Sequence, residues 1–470
     1  MCFPTVGVYM INELLNKADI ISGVIMVLIS VTGIIFTKGT GFVQIFHLPK
    51  AFKYMFSGDS SGAGEVSSFA SLCTALAASI GTGNIVGVAT AVCTGGPGAL
   101  FWMVVSAFFG MATIYAEGLL AVKYRRKSPD GSFMGGPFYY IEGGMGKRWK
   151  WLSVLFAIFG MLAGLSGIGT VTQINGVTAA ANDFFDPYNL TAVSIFGKNY
   201  SISVIISGAA VTLSAALVLM GGFRRIARVS EIAVPFMALI FTSAMVLIIL
   251  RNIGRVPGAV CVIIEGAFNP DAVTGGVVGS IVTAVHKGVS RGIFSNEAGL
   301  GSAGIAAAAA KTDSPVRQGL VCMLGTFVDT IVLCTMTGIV LVLTDAWQAP
   351  GAEGAAVTAY AFRAGLPFEE KFSSFILLLC LTFFAFTSML GWNYYSEICL
   401  NYLSGGRKIP LVIFRVLYIA AIFMGPYLTV EAVWSAADIF NCLMAVPNLI
   451  ALIYLRKTVF GETKKFIDKC

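Results

Sequence analysis

The chain has 470 residues, 57% of them hydrophobic and only 12% charged, with a formal net charge of +7. Soluble domains carry about 25% charged residues, so this proportion, with a mean hydropathy of +0.83, excludes an ordinary soluble protein and points to lipid as the solvent. The positive surplus implies no nucleic-acid partner, because its distribution along the chain has a membrane explanation.

No cleavable leader is expected. Residues 1–16 lack a basic start, and no small-residue cleavage site follows the first apolar run, Ile20 to Phe36. That run is predicted as the first of eleven spans: 17–37, 65–94, 97–122, 151–182, 201–221, 229–250, 273–292, 316–344, 371–402, 410–428 and 431–456. Each is near or above the roughly 20 residues that cross a bilayer. The weakest is 273–292, which carries His286, Lys287 and Arg291. Segments 42–56 and 257–268 read as short interfacial helices. With the N-terminus outside, 25 of the 31 basic residues fall in inside segments. The expectation is therefore a multi-pass protein of the cell membrane, a cell inner membrane, with the N-terminus out and the C-terminus cytoplasmic. Cys73, Cys93, Cys322, Cys334, Cys380 and Cys442 lie in apolar stretches without C-x-x-C spacing, so they read as packing residues.

The second span is the most informative. It carries Gly81-Thr82-Gly83-Asn84 at membrane depth. Each glycine costs a helix roughly 1 kcal/mol relative to alanine, and Thr82 and Asn84 need polar partners that lipid lacks. Two readings are open: the glycines permit close helix packing, or the helix breaks there beside a cavity. A break frees carbonyls that bind Na⁺ or an ammonium group, and N–H groups that bind a carboxylate. A zwitterionic amino acid fits such a break.

Other polar groups lie mid-span: Gln173 and Asn175 in the fourth, Asp329 between Thr326 and Thr330 in the eighth, and Thr382, Thr387 and Ser388 in the ninth. Ser388 and Trp392 are four residues apart and share a helix face. Taken singly, a hydroxyl here bonds its own helix, Gln173 and Asn175 bond between helices, and Trp392 packs. Burying Asp329 costs roughly 3 kcal/mol on insertion scales, so a cation or hydrogen-bonding partner must compensate.

The chain resembles the alanine or glycine:cation symporter family (sodium:alanine symporters) over essentially its whole length. The resemblance is carried by GTGNIVGVATAVCTGGPGALFWM at 81–103, MGGPFYYIEGGMG at 134–146, SRGIFSNEAGLGSA at 290–303 and GWNYYSE at 391–397. It implies an all-α membrane protein of the leucine-transporter type, with inverted five-helix repeats at about 65–250 and 273–456. Residues 1–64 would add a helix and an interfacial segment, 251–272 an external connection and 457–470 a cytoplasmic tail. It implies sodium-coupled symport of alanine or glycine, with Na⁺ as the coupling ion and the amino acid and the bilayer as partners; no oligomeric partner is indicated.

By the same resemblance, the N–H groups of Thr82 and Gly83 hold the solute carboxylate. The Ser79 carbonyl, with Gln173 and Asn175, holds the amine or shapes the pocket, and Ser388 and Trp392 close the side-chain end. Sodium would sit among carbonyls near Ala77 and Ile80, the Phe384 carbonyl, Thr387 and Ser388. Asn84 and Asp329, with Thr283, are candidates for a second cation site. The family commonly has serine after the Gln-x-Asn pair, where this chain has Gly176.

Ser290 to Ala303 reads as a cytoplasmic segment, either an inner gate or a cap between helices. Glu117, Glu231 and Glu397 are expected to form salt bridges with Arg125, Arg228 or Arg291. An enzyme is disfavoured: the two histidines, His47 and His286, lie far apart, and no H-E-x-x-H or G-x-S-x-G occurs. A channel would show flux that survives loss of the sodium gradient. Proton coupling through Asp329 is the nearer rival.

Overall fold

The computed structural model describes residues 22–57, 62–127, 133–195, 198–269, 281–349, 354–428 and 430–468, with backbone alone at 195 and 430–438. The expected outside N-terminus, the starts of the spans at 17 and 273, and 270–272 of the external connection lie outside the described residues.

The long helices run in chain order: α1 (Ser22–Gly39), α2 (Ser68–Ser79), α3 (Val86–Gly95), α4 (Gly98–Lys123), α5 (Lys150–Ser166) and α6 (Val171–Phe185). Then come α7 (Ile202–Leu219), α8 (Gly222–Arg251), α9 (Val256–Phe268), α10 (Ile281–Asn296) and the short α11 (Ser302–Ala307). The last are α12 (Pro315–Leu343), α13 (Ala355–Gly365), α14 (Glu370–Ser404), α15 (Lys408–Met424) and α16 (Val430–Ile467). Two two-stranded hairpins, one pairing Arg126–Lys127 with Phe133–Met134 and one pairing Ala192–Ile195 with Lys198–Ser201, are the strands among the described residues. Capping explains several helix starts. The hydroxyls of Ser67, Ser201 and Ser314 accept backbone N–H groups at the heads of α2, α7 and α12.

Among the described residues, nine helices are long and apolar enough to cross a membrane, or ten when α2 and Thr82–Gly95 count as one bent span. The predicted span without a counterpart in that count is 273–292, described only from Ile281. The outer helices turn apolar side chains outward, such as Ile206, Leu213 and Leu217 on α7 and Ile232 and Leu239 on α8. In lipid those faces need no cover. Inside the bundle, small residues bring backbones together. A Cβ on Gly391 of α14 would lie 2.7 Å from the Cα of Ala78 on α2, so the two helices touch directly.

Three interruptions sit in the interior: Ile80–Ile85, Gly167–Thr170 and Glu297–Gly301. The third falls in the segment 290–303 expected to be a gate or a cap between helices: α10 continues to Asn296, and residues 292–310 are all buried. The run is rich in Gly, Ala and Ser, which pack closely, and Glu297 finds buried partners. Within the tail, α16 remains helical to Ile467. Its Phe460 ring packs edge-on against Phe36, and Thr463 meets the Tyr115 hydroxyl at 2.7 Å, so one face of the basic tail is anchored.

Candidate functional site

The site grows from the first break. The Ile80 N–H still bonds the Leu76 carbonyl, closing the last turn of α2, but its ψ of 98° is extended and the chain turns by 65° before the Thr82–Gly95 segment. Gly81 is required at the corner. A Cβ there would lie 2.5 Å from Ser388 Oγ and 2.9 Å from Gln173 Oε1.

Side chains from two other helices and from Asn84 take up the released backbone groups, and a third helix holds Asn84 in turn. Ser388 Oγ on α14 donates to the Ile80 carbonyl at 3.1 Å. Thr82 N–H donates to Gln173 Oε1 on α6 at 3.1 Å, while Gln173 Nε2 donates to the Ile168 carbonyl in the second break at 2.9 Å. Gly81 N–H donates to Asn84 Oδ1 at 3.0 Å. Asn84 Nδ2 reaches Asp329 Oδ1 on α12 at 2.8 Å. Asp329 Oδ2 accepts from Ser295 Oγ at 2.8 Å and from Thr330 Oγ1 at 2.7 Å. Asp329 lies in a π-helical stretch, Phe327–Cys334, a local widening that recurs at functional sites.

The third break is equally close. Phe294 and Ser295 of α10 lie 3.5 and 3.6 Å from where a Gly83 Cβ would be. Two residues on, the Glu297 carboxylate accepts the Trp392 indole N–H at 2.9 Å and the Ser302 hydroxyl. Trp392 also presses on the second break, since a Cβ on Gly169 would come within 2.4 Å of its own Cβ. Thus all three interruptions converge on one face of α14, carrying Ser388 and Trp392.

Gly81, Thr82, Gly83, Asn84, Gln173, Asp329, Ser388 and Trp392 therefore come together. Ala77 is fully buried one turn before the break, and Ser79 ends α2. Thr387 Oγ1 bonds the Phe383 and Phe384 carbonyls of its own helix, both at 3.0 Å. Thr382 likewise bonds the Leu378 carbonyl. Asn175 bonds the carbonyls of Val171 and Gly425 at 2.9 and 3.1 Å, tying α6 to the turn after α15. Its neighbour Gly176 faces the Thr82 methyl, 2.5 Å from where a Cβ would stand. Thr283 lies eleven residues before Phe294 on α10, about 16 Å away by helical rise, beside the far end of α3.

Sequence reasoning missed Glu297 as a partner of Trp392, and it missed the second break. Three glycines, at 164, 167 and 169, were its signal. The expected ion pairs also differ. Glu117 is fully buried and accepts from Asn448 Nδ2 at 2.7 Å and from the N–H groups of Gly299 and Gly301. Glu397 pairs with Arg415, at 2.6 and 2.7 Å. Arg125 donates to the carbonyls of Ala63, Ala308, Ala310 and Thr312, because small-residue backbone surrounds it.

Broken helix ends whose backbone groups are held by hydroxyl and amide side chains, beside the buried Asp329 and Glu297 carboxylates, form the kind of mid-bundle site that membrane transporters use. Comparison with known proteins gives the same class. A model of the sodium:alanine symporter family matches residues 8–470. The chain belongs to that family. It is a transporter and not an enzyme. It is 52% identical over 446 residues to an uncharacterized transporter of Haemophilus influenzae, covering 95% of this chain and 93% of the relative. It is 45% identical over 448 residues to the sodium/alanine symporter AgcS of Methanococcus maripaludis, covering 94% and 93%. Among solved structures it resembles MhsT in complex with L-phenylalanine, at a TM-score of 0.56 and 14% identity, over 82% of this chain and 88% of that one. That likeness shows the fold of this family member to be leucine-transporter-like.

Proposed function

We propose that this chain carries a small neutral amino acid, alanine or glycine, into the cell together with sodium by alternating access. One observation carries the reading: the 65° break at Gly81, which places backbone donors and acceptors at the centre of the bundle, where lipid supplies none. In this reading the solute carboxylate binds the N–H groups of Thr82 and Gly83, and Gln173 yields or shares its bond to Thr82. The Ser79 carbonyl, Gln173 and Asn175 hold the amine side. Ser388 and Trp392 form the wall that leaves room for a methyl group and little more. Sodium binds among the carbonyls of Ala77, Ile80 and Phe384 and the hydroxyls of Thr387 and Ser388. Asn84 and Asp329 form a second cation site.

The same proposal includes eleven spans in two inverted repeats of five, about 65–250 and 273–456, after an added first helix. The charge distribution supports an outside N-terminus and an inside C-terminus. One sodium ion moving inward gains about 2.3 kcal/mol per 100 mV of membrane potential, which drives the solute uphill. A second reading, proton coupling, rests on Asp329, a buried carboxylate whose side-chain donors are all neutral.

The test is labelled alanine uptake into proteoliposomes with sodium, lithium or proton gradients imposed in turn. Uptake that follows the sodium gradient is expected. Uptake driven by the proton gradient alone would replace the sodium reading, and flux indifferent to all three would remove symport.

A further inference from the structure

Trp392 is fully buried and is held from two sides. The second break presses its root at Gly169, and the third supplies the acceptor for its indole N–H, Glu297 Oε1 at 2.9 Å. The backbone at Glu297 is unusual. Its φ is +59°, in the left-handed region that Gly299 and Gly301 of the same break also adopt, at φ +86° and +82°. Glycine takes that conformation freely, and a long side chain does so at a cost. Both carboxylate oxygens of Glu297 are engaged, one by Trp392 and the other by Ser302 at the head of α11.

We propose that Glu297 is a positioning residue for the solute pocket: it fixes the Trp392 ring in one orientation and so sets the size of side chain the transporter accepts. The inference rests on the reading of Trp392 as the pocket wall. An indole turns about only two side-chain bonds, so one fixed hydrogen bond and one fixed root define its plane. Removing the acceptor leaves a buried N–H unpaired, and the ring turns to seek another partner. Trp392 stands one turn beyond Ser388 on the same face, so that rotation changes the space beside Ser388 and Gly81. Because the bond crosses from α14 to the third break, a shift of that break would also move the wall.

Wild-type protein, Glu297→Gln, Glu297→Ala, Trp392→Phe and the double variant Glu297→Ala/Trp392→Phe are compared in proteoliposomes. The readout is competition of alanine uptake by unlabelled leucine. Glu297→Ala and Trp392→Phe, which delete the bond from opposite ends, should each narrow the preference for alanine at least tenfold. The double variant should add little to either, and Glu297→Gln, which keeps an acceptor oxygen, should retain most of the preference. Where Glu297→Ala does not fold, Glu297→Asp, which keeps the carboxylate but shortens its reach to the indole N–H, takes its place and should narrow the preference in the same direction. Folded single variants with unaltered preference overturn the inference. Failure of the wild type to take up alanine counts instead against the proposed function. The tie is then read from thermal midpoints of the same proteins, and strictly additive shifts overturn it.

Discussion

At Gly81 a single missing methyl group decides the geometry of the site. The position where a Cβ would stand is 2.5 Å from the Ser388 hydroxyl and 2.9 Å from the Gln173 amide oxygen, both inside contact distance. Gly81→Ala must push Ser388 from the Ile80 carbonyl or Gln173 from the Thr82 N–H. Overpacking of this kind costs about 1–3 kcal/mol, so the protein should fold with a lowered thermal midpoint. Transport should suffer far more, because both displaced groups belong to the site. A loss of at least a hundredfold in the initial rate of sodium-driven alanine uptake is expected. Near-normal uptake by the alanine variant would show that this corner does not form part of the solute path.

At the scale of elements, the loop from α6 to α7 shows how polar groups at a helix end are organised outside the bundle. Asp186 follows α6 and accepts from the hydroxyls of Ser201 and Thr191 and from the N–H groups of Leu190 and Thr191. These bonds hold its carboxyl well below the usual aspartate range, the Ser201 hydroxyl contributing most. The depressed value fixes the sign: the stabilisation is complete above the unfolded aspartate value near 3.9 and is lost as pH falls through the lower folded value. Amide exchange at Leu190 and Thr191 should therefore stay slow, after correction for intrinsic rates, from pH 7 down to about 4, and rise only below. A rise already at pH 6 would contradict this arrangement. Elements were not equally legible in the sequence. The first break was, because Gly-Thr-Gly-Asn places polar side chains beside glycines in a long apolar run. The second was not, because Gly164, Gly167 and Gly169 lie among apolar residues and look like ordinary small-residue packing. The third was hidden by composition, since Arg291, Asn296 and Glu297 read equally as a charged gate or a cap between helices until their partners across the bundle are known. Pairings such as Glu297 with Trp392 are separated by 95 positions, and no local pattern encodes them.

For the whole molecule, the question is why two ligands should need each other. The proposed sodium oxygens, at Ala77, Ile80, Phe384, Thr387 and Ser388, and the proposed carboxylate donors, at Thr82 and Gly83, lie on opposite sides of one corner. On the sodium side, Ser388 of α14 already bonds the Ile80 carbonyl at the edge of that corner. A cation that pulls Ile80 and Ser388 together fixes the corner and so orients the N–H groups beyond it. A carboxylate on those N–H groups likewise fixes the corner for the cation. Binding linkage makes the two effects equal: the factor by which sodium tightens alanine must be the factor by which alanine tightens sodium. Couplings of this type are typically 1–3 kcal/mol, or roughly 5- to 150-fold. Equilibrium binding of labelled alanine to purified protein across a sodium series, and of labelled sodium across an alanine series, should give the same factor within that range. The Ser388→Ala variant, which keeps the helix and removes that bond, should shrink both factors together. Independent binding of the two ligands in the wild type would mean that the corner does not couple them, and the site would have to be divided between separate elements.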